Sequence, residues 1–223
     1  RRVLFRSLFF GSLTAAFVWG VAMANLVKGI PIDENMHYIG GFFNLFSPFT
    51  IVTGILFVLL FAYHGGNFLA LKTKGGITNR IKKISFPLWL LIIAGYLAII
   101  VLLFLETDAF SKSIPSIALT IGLIALLPIN FLIDNERFVY AFICSSIGIA
   151  SIIICFFSGL FPRVMISTLN PKWSLTIFNS ASGPNTLKVM TIVALIFIPI
   201  VIAYQIWTYW IFRKPVDPND LEY

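Results

Sequence analysis

Long apolar runs separated by shorter polar segments dominate the chain. Six runs contain no Asp, Glu or Arg, and they cover residues 8–27, 48–70, 86–105, 117–133, 138–157 and 187–212. A hydrocarbon core about 30 Å thick is crossed by roughly 20 helical residues. Because lipid offers no partner for free backbone groups, uninterrupted runs of this length must be helices. The pattern predicts an all-α integral membrane protein with six transmembrane helices within residues 8–212.

The composition excludes the ordinary soluble classes. The chain of 223 residues is 59% hydrophobic and 11% charged, whereas a soluble domain is about 25% charged. Its formal net charge of +7 suits cationic loops at a membrane surface. We therefore expect membrane lipid around the chain and no nucleic-acid partner.

One connecting segment is much longer than the others. Residues 158–186 contain three prolines and Trp173, a side chain suited to a membrane interface. A segment of this length is too long for a simple turn. We expect it to be ordered and packed against another part of the molecule.

The basic residues are distributed unevenly between the two sides that six spans define. Eleven lie in the start, the second and fourth gaps and the tail: Arg1, Arg2, Arg6, Lys72, Lys74, Arg80, Lys82, Lys83, Arg137, Arg213 and Lys214. Five lie on the other side: Lys28, Lys112, Arg163, Lys172 and Lys188. The positive-inside rule therefore predicts a multi-pass membrane protein with both ends in the cytoplasm.

The two ends of the chain are predicted to lie outside the membrane domain. Residues 1–7 are set aside as a candidate non-native scar, because one reading frame of a common sequencing adapter encodes the string 2–7. The first residue is not Met, so we expect the natural beginning to be missing. Residues 213–223 are predicted to form a cytoplasmic tail.

Few side chains within the runs could carry chemistry. His64 lacks a second His or a carboxylate at helical spacing, so a packing role is the favoured interpretation and a metal or haem ligand the alternative. Met23 and Met190 are isolated potential haem ligands. Cys144 and Cys155 are too far apart along one helix to bridge and are expected to be free thiols. No catalytic residue and no metal site are predicted.

Small residues recur every four positions on the first predicted helix. Ser12, Ala16, Gly20 and Ala24 would form a face on which another helix could approach closely. This face and Trp173 are the candidate interface with a partner.

Three separated blocks resemble subunit II of the cytochrome bd quinol oxidases. The first runs from Gly20 through Asn25 and Gly29 to Pro31, and resembles G-x-A-x-x-N-L-x-x-G-x-P. The second contains His64, Gly65 and Lys72 and is similar to H-G-A-x-x-L-x-L-K-T-x-G, with Gly66 replacing the usual Ala. Further matching positions of the closing block include Pro162, Asn179, Tyr204 and Trp207.

The resemblance implies a function that cannot be inferred from composition alone. It implies a haem-free subunit of a terminal oxidase that oxidises membrane quinol and reduces dioxygen to water. Haem b and haem d would lie in the partner, subunit I, and a small accessory subunit and a bound quinone are compatible with the family. It also implies further spans before this segment, and an architecture of two four-helix bundles of which these six helices are the remainder.

Two other classes remain open at this stage. A transporter or permease can be built from six spans, although this chain shows no intramembrane charges or internal symmetry. A structural scaffold would differ from the oxidase subunit only in whether its partner carries haem.

Overall fold

A computed structural model describes residues 2–73 and 75–213 of the chain. Within them, the helices are Arg2–Lys28 (α1), Pro48–Lys72 (α2), Gly76–Glu106 (α3), Ser113–Leu126 (α4), Ile129–Asp134 (α5), Phe138–Leu160 (α6) and Pro184–Ile211 (α7). Two short strands, Arg163–Met165 (β1) and Leu175–Thr176 (β2), pair antiparallel. Three single-turn 3-10 helices lie at Phe42–Leu45, Ala109–Ser111 and Pro171–Trp173.

The six predicted spans are confirmed as helices of membrane length. They are Val3–Lys28, Pro48–Lys72, Gly76–Glu106, Ser113–Asp134, Phe138–Leu160 and Pro184–Ile211. The largest difference in bounds is at α3, which begins at Gly76 instead of residue 86. Its first turns carry basic residues, which extend the helix beyond the apolar run. Helix α1 likewise includes residues 2–7, whose non-native origin stays a prediction, while Arg1, Lys74 and residues 214–223 lie outside the described part.

The predicted span 117–133 is divided into two helices. Helix α4 ends at Leu126 and α5 begins at Ile129, with Pro128 between them. Proline has no backbone N–H and interrupts the helical hydrogen bonds. The Leu126 carbonyl instead accepts a hydrogen bond of 2.8 Å from Trp89 Nε1 on α3. The indole thus provides a partner for a carbonyl at the break, inside the membrane domain.

Four spans surround a common apolar core. Helices α2, α3, α4 with α5, and α6 pack together, and α1 packs mainly against α2. Core side chains that are almost fully buried include Leu60, Ile92, Leu119 and Phe156. The expected two-bundle architecture stays a prediction beyond this single group of four spans.

The start of α2 shows how local sequence sets a helix boundary. Ser47 accepts a hydrogen bond from the Thr50 backbone N–H, while the Thr50 side chain accepts one from the Ser47 backbone. This reciprocal capping box satisfies two backbone donors that helix formation leaves unpaired. Pro48 follows at the first helical position, where its missing N–H costs nothing.

Helix α7 stands largely apart from the bundle. None of its residues is buried, and its apolar side chains are exposed along its length. We call the end of the bundle beside β1 and β2 the hairpin end, and the end beside Lys72 the basic end. The hydrogen bonds and aromatic contact between α2 and the end of α7 lie at the basic end.

Candidate functional site

Asn25 fixes a loop onto α1 at the hairpin end. Its Nδ2 donates hydrogen bonds of 2.8 Å to the Val21 carbonyl and 2.9 Å to the Leu45 carbonyl. Leu45 ends the 3-10 helix that precedes α2. One buried amide therefore joins α1 to the segment that leads into α2.

A cavity of about 390 Å³ lies beside Asn25. Its walls are apolar side chains from α1, the Phe42–Phe46 segment and β1, together with Asn25: Val18, Val21, Ala22, Leu26, Ile30, Phe42, Leu45, Phe46 and Met165. Because the Asn25 amide already donates to two carbonyls, its oxygen remains as an acceptor. The cavity suits an apolar molecule, and the amide oxygen suits a hydroxyl on that molecule.

The long segment after α6 docks onto the end of α1, which confirms that it is ordered and packed. Gly29 follows α1 with a φ of 97°, a conformation that glycine adopts without a steric penalty. The Ile30 backbone N–H then donates to the Ile166 carbonyl at 2.9 Å, and the Ile30 carbonyl accepts from Thr168 at 3.0 Å. The Ser167 hydroxyl adds a bond of 2.8 Å to the Ile32 carbonyl.

Two ion pairs join the elements of the hairpin end. Lys28 Nζ at the end of α1 lies 2.6 Å from Glu106 Oε2 at the end of α3, although this contact lacks hydrogen-bond geometry. Arg163 Nη2 on β1 donates to both carboxylate oxygens of Asp108 at 2.7 Å. These pairs connect α1, β1 and the α3–α4 connection.

Lys112 adds a third link at the hairpin end. Its Nζ donates to the carbonyls of Gly159 at 2.5 Å and Phe161 at 2.6 Å, at the C-terminus of α6. Partial burial and the nearby Arg163 lower the pKa of Lys112, while Asp108 acts in the opposite direction. A cation at this position also complements the negative end of the helix dipole.

The closing-block residues Pro162 and Asn179 organise the turn around β2. The Pro162 carbonyl accepts from the Ile177 backbone N–H at 3.1 Å. Asn179 Oδ1 accepts from the Thr176 backbone at 2.6 Å, and its Nδ2 donates to the Ser174 carbonyl at 3.1 Å. Trp173 lies half-buried just before this turn. Pro162 and Asn179 thus make local backbone contacts.

His64 on α2 contacts α6. Its Nδ1 lies 2.8 Å from Ser145 Oγ, and its ring stacks on Phe142 with 4.4 Å between centroids. Ser145 Oγ also lies 2.9 Å from the Phe142 carbonyl, and when the hydroxyl donates there, the imidazole donates to Ser145 through Nδ1–H. The packing role of His64 stays a prediction, and these contacts are compatible with it. Gly65, which follows, is exposed, and a Cβ there would meet nothing within 4 Å.

Lys72 attaches α7 to α2 at the basic end. Its Nζ donates bonds of 2.9 Å to the carbonyls of Phe212 and Arg213, which follow the last turn of α7. One turn earlier on α2, Phe68 packs edge-on against Tyr209. A cation at a helix C-terminus satisfies carbonyls that lack helical partners.

The aromatic residues Tyr204 and Trp207 lie on α7 near this attachment. Both are exposed, and their ring centroids are 6.3 Å apart. Arg213 lies over the ring of Trp210, with Cζ 4.5 Å from the centroid. The grouping of aromatic and basic side chains is typical of a membrane–water interface.

The four small residues of α1 do not share one environment. Gly20 and Ala24 are buried within the chain, and a Cβ on Gly20 would lie 2.8 Å from Gly54 Cα of α2. Gly20 thus lies in the α1–α2 contact, and neither residue belongs to a free face. Ser12 is exposed and Ala16 half-buried, and both line an open groove of about 610 Å³ between α1 and α2. The proposed partner face is therefore limited to the first half of α1.

The potential haem ligands lie in different parts of the chain. Met23 is buried on α1 near the hairpin end, whereas His64 lies on α2 toward the basic end. Met190 is exposed on α7. Within residues 2–73 and 75–213, no three or more His, Cys, Asp or Glu side chains are grouped to hold a metal. Cys144 and Cys155 are free thiols, as predicted.

The sequence is similar to one family over most of its length. The model of the family described as "Cytochrome bd terminal oxidase subunit II" matches residues 1–212. A Bacillus subtilis protein, cytochrome bd ubiquinol oxidase subunit 2, is 36% identical over 95% of this chain and 63% of its own length.

Two further relatives show the same partial coverage. A probable cytochrome oxidase subunit 2 of Haemophilus influenzae is 30% identical, and cytochrome bd-I ubiquinol oxidase subunit 2 of Escherichia coli K12 is 27% identical. Each match covers 96% of this chain and 66% of the relative. The chain thus spans just under two thirds of the length of the curated relatives it matches.

Proposed function

Because the chain belongs to the cytochrome bd terminal oxidase subunit II family, we propose that it acts as the haem-free subunit of a membrane quinol oxidase. The complex would oxidise a membrane quinol and reduce dioxygen to water. The family match over residues 1–212 carries this proposal. The match favours an oxidase subunit over the transporter that the sequence also allowed.

In this proposal the redox chemistry belongs to a partner subunit that binds haem b and haem d. A haem held by two axial ligands needs them on facing helices. His64 is engaged by Ser145 and Phe142, and Met23 is packed in the core at the other end of the bundle. These residues do not fit a shared haem, so no redox step is assigned to them.

The contribution of this chain is structural, through contacts that support the assembled complex. The groove beside Ser12 and Ala16 and the region around Trp173 are the surfaces proposed for the haem-bearing subunit, and a small accessory subunit could join them. Ala16→Trp would fill the groove and should lower the yield of the partner. Gly41→Ala, where an added Cβ meets nothing within 4 Å, is the matched control. Normal recovery of the complex with Ala16→Trp would reject this surface.

A quinone or quinol is the proposed occupant of the cavity beside Asn25. The apolar walls fit an isoprenoid tail, and the Asn25 oxygen could accept a hydrogen bond from a quinol hydroxyl. Ala22→Phe would fill the cavity and should reduce the quinone extracted from the purified complex. Ala203→Phe, at an exposed position of α7, should leave the quinone content unchanged.

The proposed location is the bacterial cytoplasmic membrane, with both ends of the chain in the cytoplasm. With six spans, Val3 and Ile211 would lie on the same side of the membrane. The basic residues Arg80, Lys82 and Lys83 favour that side as the cytoplasmic one. A cysteine introduced at Lys83 should resist a membrane-impermeant thiol reagent in intact cells and react after the cells are opened.

A difference spectrum of the tagged complex from native membranes tests the main proposal. The reduced-minus-oxidised spectrum should contain haem b and haem d bands, and a larger subunit should accompany this chain. A discrete complex without haem would overturn the proposal and bring the transporter hypothesis forward.

A further inference from the structure

A chain of hydrogen bonds crosses the bundle near its basic end. Tyr63 Oη on α2 lies 3.1 Å from Ser85 Oγ on α3, and Ser85 donates to Asn130 Oδ1 on α5 at 3.2 Å. Asn130 Nδ2 then donates to Asp134 Oδ2 at 3.2 Å. Asp134 is exposed, whereas Tyr63 is only 4% exposed. Polar groups therefore lead from the rim of the bundle to its buried centre.

The direction of these bonds follows from the number of hydrogens available. Ser85 has one hydroxyl hydrogen, which it donates to Asn130. When Ser85 donates to Asn130, Tyr63 donates to Ser85, and the hydrogens of the chain then point toward Asp134. The lone pairs of Tyr63 Oη remain available to a donor at the buried end.

Asn67, four residues after Tyr63 on α2, is a second buried polar residue of this helix. It is 1% exposed, and neither Nδ2 nor Oδ1 makes a hydrogen bond with the described residues. It follows Tyr63 by one turn on the same buried face of α2. Because helical side chains tilt toward the N-terminus, the Asn67 amide extends over the turn that carries Tyr63. Buried amides are rarely left unpaired, because their desolvation is costly.

We propose that Asn67 and Tyr63 hold a buried water molecule. The water accepts a hydrogen bond from Asn67 Nδ2 and donates one to Tyr63 Oη. Buried waters typically bind unsatisfied polar groups of this kind. A metal cation fits less well, since hard cations require several oxygen ligands and Asn67 offers one.

The site would fix helix packing and would not conduct protons. The Asn130 amide lies between the hydroxyls and Asp134, and an amide does not relay protons as a hydroxyl or water does. The water would extend the Tyr63 to Asp134 chain to a second residue of α2. It would thereby strengthen the contact of α2 with α3 and α5.

Electron cryo-microscopy of the full-length protein in its complex, at a resolution that shows ordered waters, tests the proposal. The expected result is one density within hydrogen-bond distance of Asn67 Nδ2 and Tyr63 Oη. Asn67→Leu should lose that density and retain the Tyr63–Ser85 contact. Asn44→Leu, on the exposed 3-10 helix, should leave the density in place.

Two results would overturn the proposal. One is a wild-type map without this density, in which protein groups pair with the Asn67 amide. The other is density surrounded by several oxygen ligands at cation distances. The wild-type map decides the question even if Asn67→Leu fails to fold, and neither result affects the proposed oxidase function.

Discussion

Tyr96 on α3 lies directly over Gly122 on α4. The tyrosine hydroxyl donates to the Leu119 carbonyl at 3.1 Å, and a Cβ at Gly122 would overlap the same hydroxyl. The Ser151 Cβ of α6 would lie 2.7 Å from that added atom on the other side. The absence of a side chain at Gly122 therefore allows three helices to meet around one buried phenol.

Gly122→Ala should destabilise the protein. The added methyl group would displace Tyr96 and break its bond to α4, and overpacking of this kind costs about 1–3 kcal/mol. The free energy of unfolding in detergent micelles measures the effect. Unchanged stability would mean that α3 and α4 do not pack this closely.

Gly66→Ala should have the opposite effect. Gly66 lies within α2, and a Cβ there would meet nothing within 4 Å. Replacing a helical glycine by alanine stabilises by about 0.5–1 kcal/mol. The same unfolding measurement applies, and destabilisation by Gly66→Ala would show that the site is more crowded than the structure indicates.

Gly29→Ala should weaken the docking of the hairpin end. The φ of 97° disfavours alanine, and the added Cβ would lie 2.9 Å from the Ile166 carbonyl oxygen. A cost of about 1–3 kcal/mol is expected for such backbone strain. Hydrogen exchange at Ile30 and Thr168 should accelerate, whereas Gly41→Ala should leave both amides protected.

Lys72→Met should release α7 from α2. The variant keeps much of the apolar side chain but cannot donate to the Phe212 and Arg213 carbonyls. Cross-linking between cysteines placed at Phe68 and Tyr209 should fall. Lys83→Met, an exposed lysine at the same end, serves as the control and should retain full cross-linking. Equal cross-linking yields in Lys72→Met and Lys83→Met would show that the hydrogen bonds of Lys72 do not hold α7 against α2.

The Lys82–Glu136 pair should give a defined pH dependence. Lys82 Nζ donates to Glu136 at 2.7 Å, and this hydrogen bond and the favourable charge interaction lower the pKa of Glu136. A carboxyl whose pKa is lower in the folded than in the unfolded protein stabilises the fold at pH values above its pKa in the unfolded protein. This stabilisation is lost as the pH falls through its pKa in the folded protein. Glu136→Gln should therefore lower the unfolding midpoint at about pH 6, and the difference should disappear in acid, once the Glu136 carboxyl is protonated in the folded protein as well.

The salt dependence of the effect and a second exposed glutamate provide the controls for this prediction. Glu136 is largely exposed, so the difference between the proteins should also shrink at high ionic strength. Glu34→Gln, in another exposed loop position, should show no comparable difference. A difference that persists in acid would exclude the Glu136 carboxylate as its cause.

Local patterns predicted the spans but not the contacts between distant segments. The length of the apolar runs was sufficient to predict six helices. The prolines and the length of 158–186 were sufficient to predict an ordered segment. Pro128 indicates the break between α4 and α5. Because the apolar run 117–133 is long enough for one span, the sequence predicted a single helix there. Nothing near Lys72 in the sequence indicates that it caps a helix end 140 residues later.

The small-residue face shows a second limit of sequence analysis. Gly20 lies where another helix approaches closely, but a four-residue period of small residues does not specify the approaching helix. The structure assigns that role to α2 of the same chain through Gly54. Asn67 illustrates the same limit, because a polar residue in an apolar run does not reveal whether its amide finds a partner.

The docking of the hairpin end on α1 constrains the order in which the protein can be completed during synthesis. Ile30 emerges from the ribosome long before Ser167, and five spans must be made before the two can pair. Until then the Ile30 backbone lacks its two hydrogen-bond partners, Ile166 and Thr168. The hairpin end therefore docks on α1 late in synthesis. A ribosome pause before residue 167 would prolong the interval in which Ile30 is unpaired.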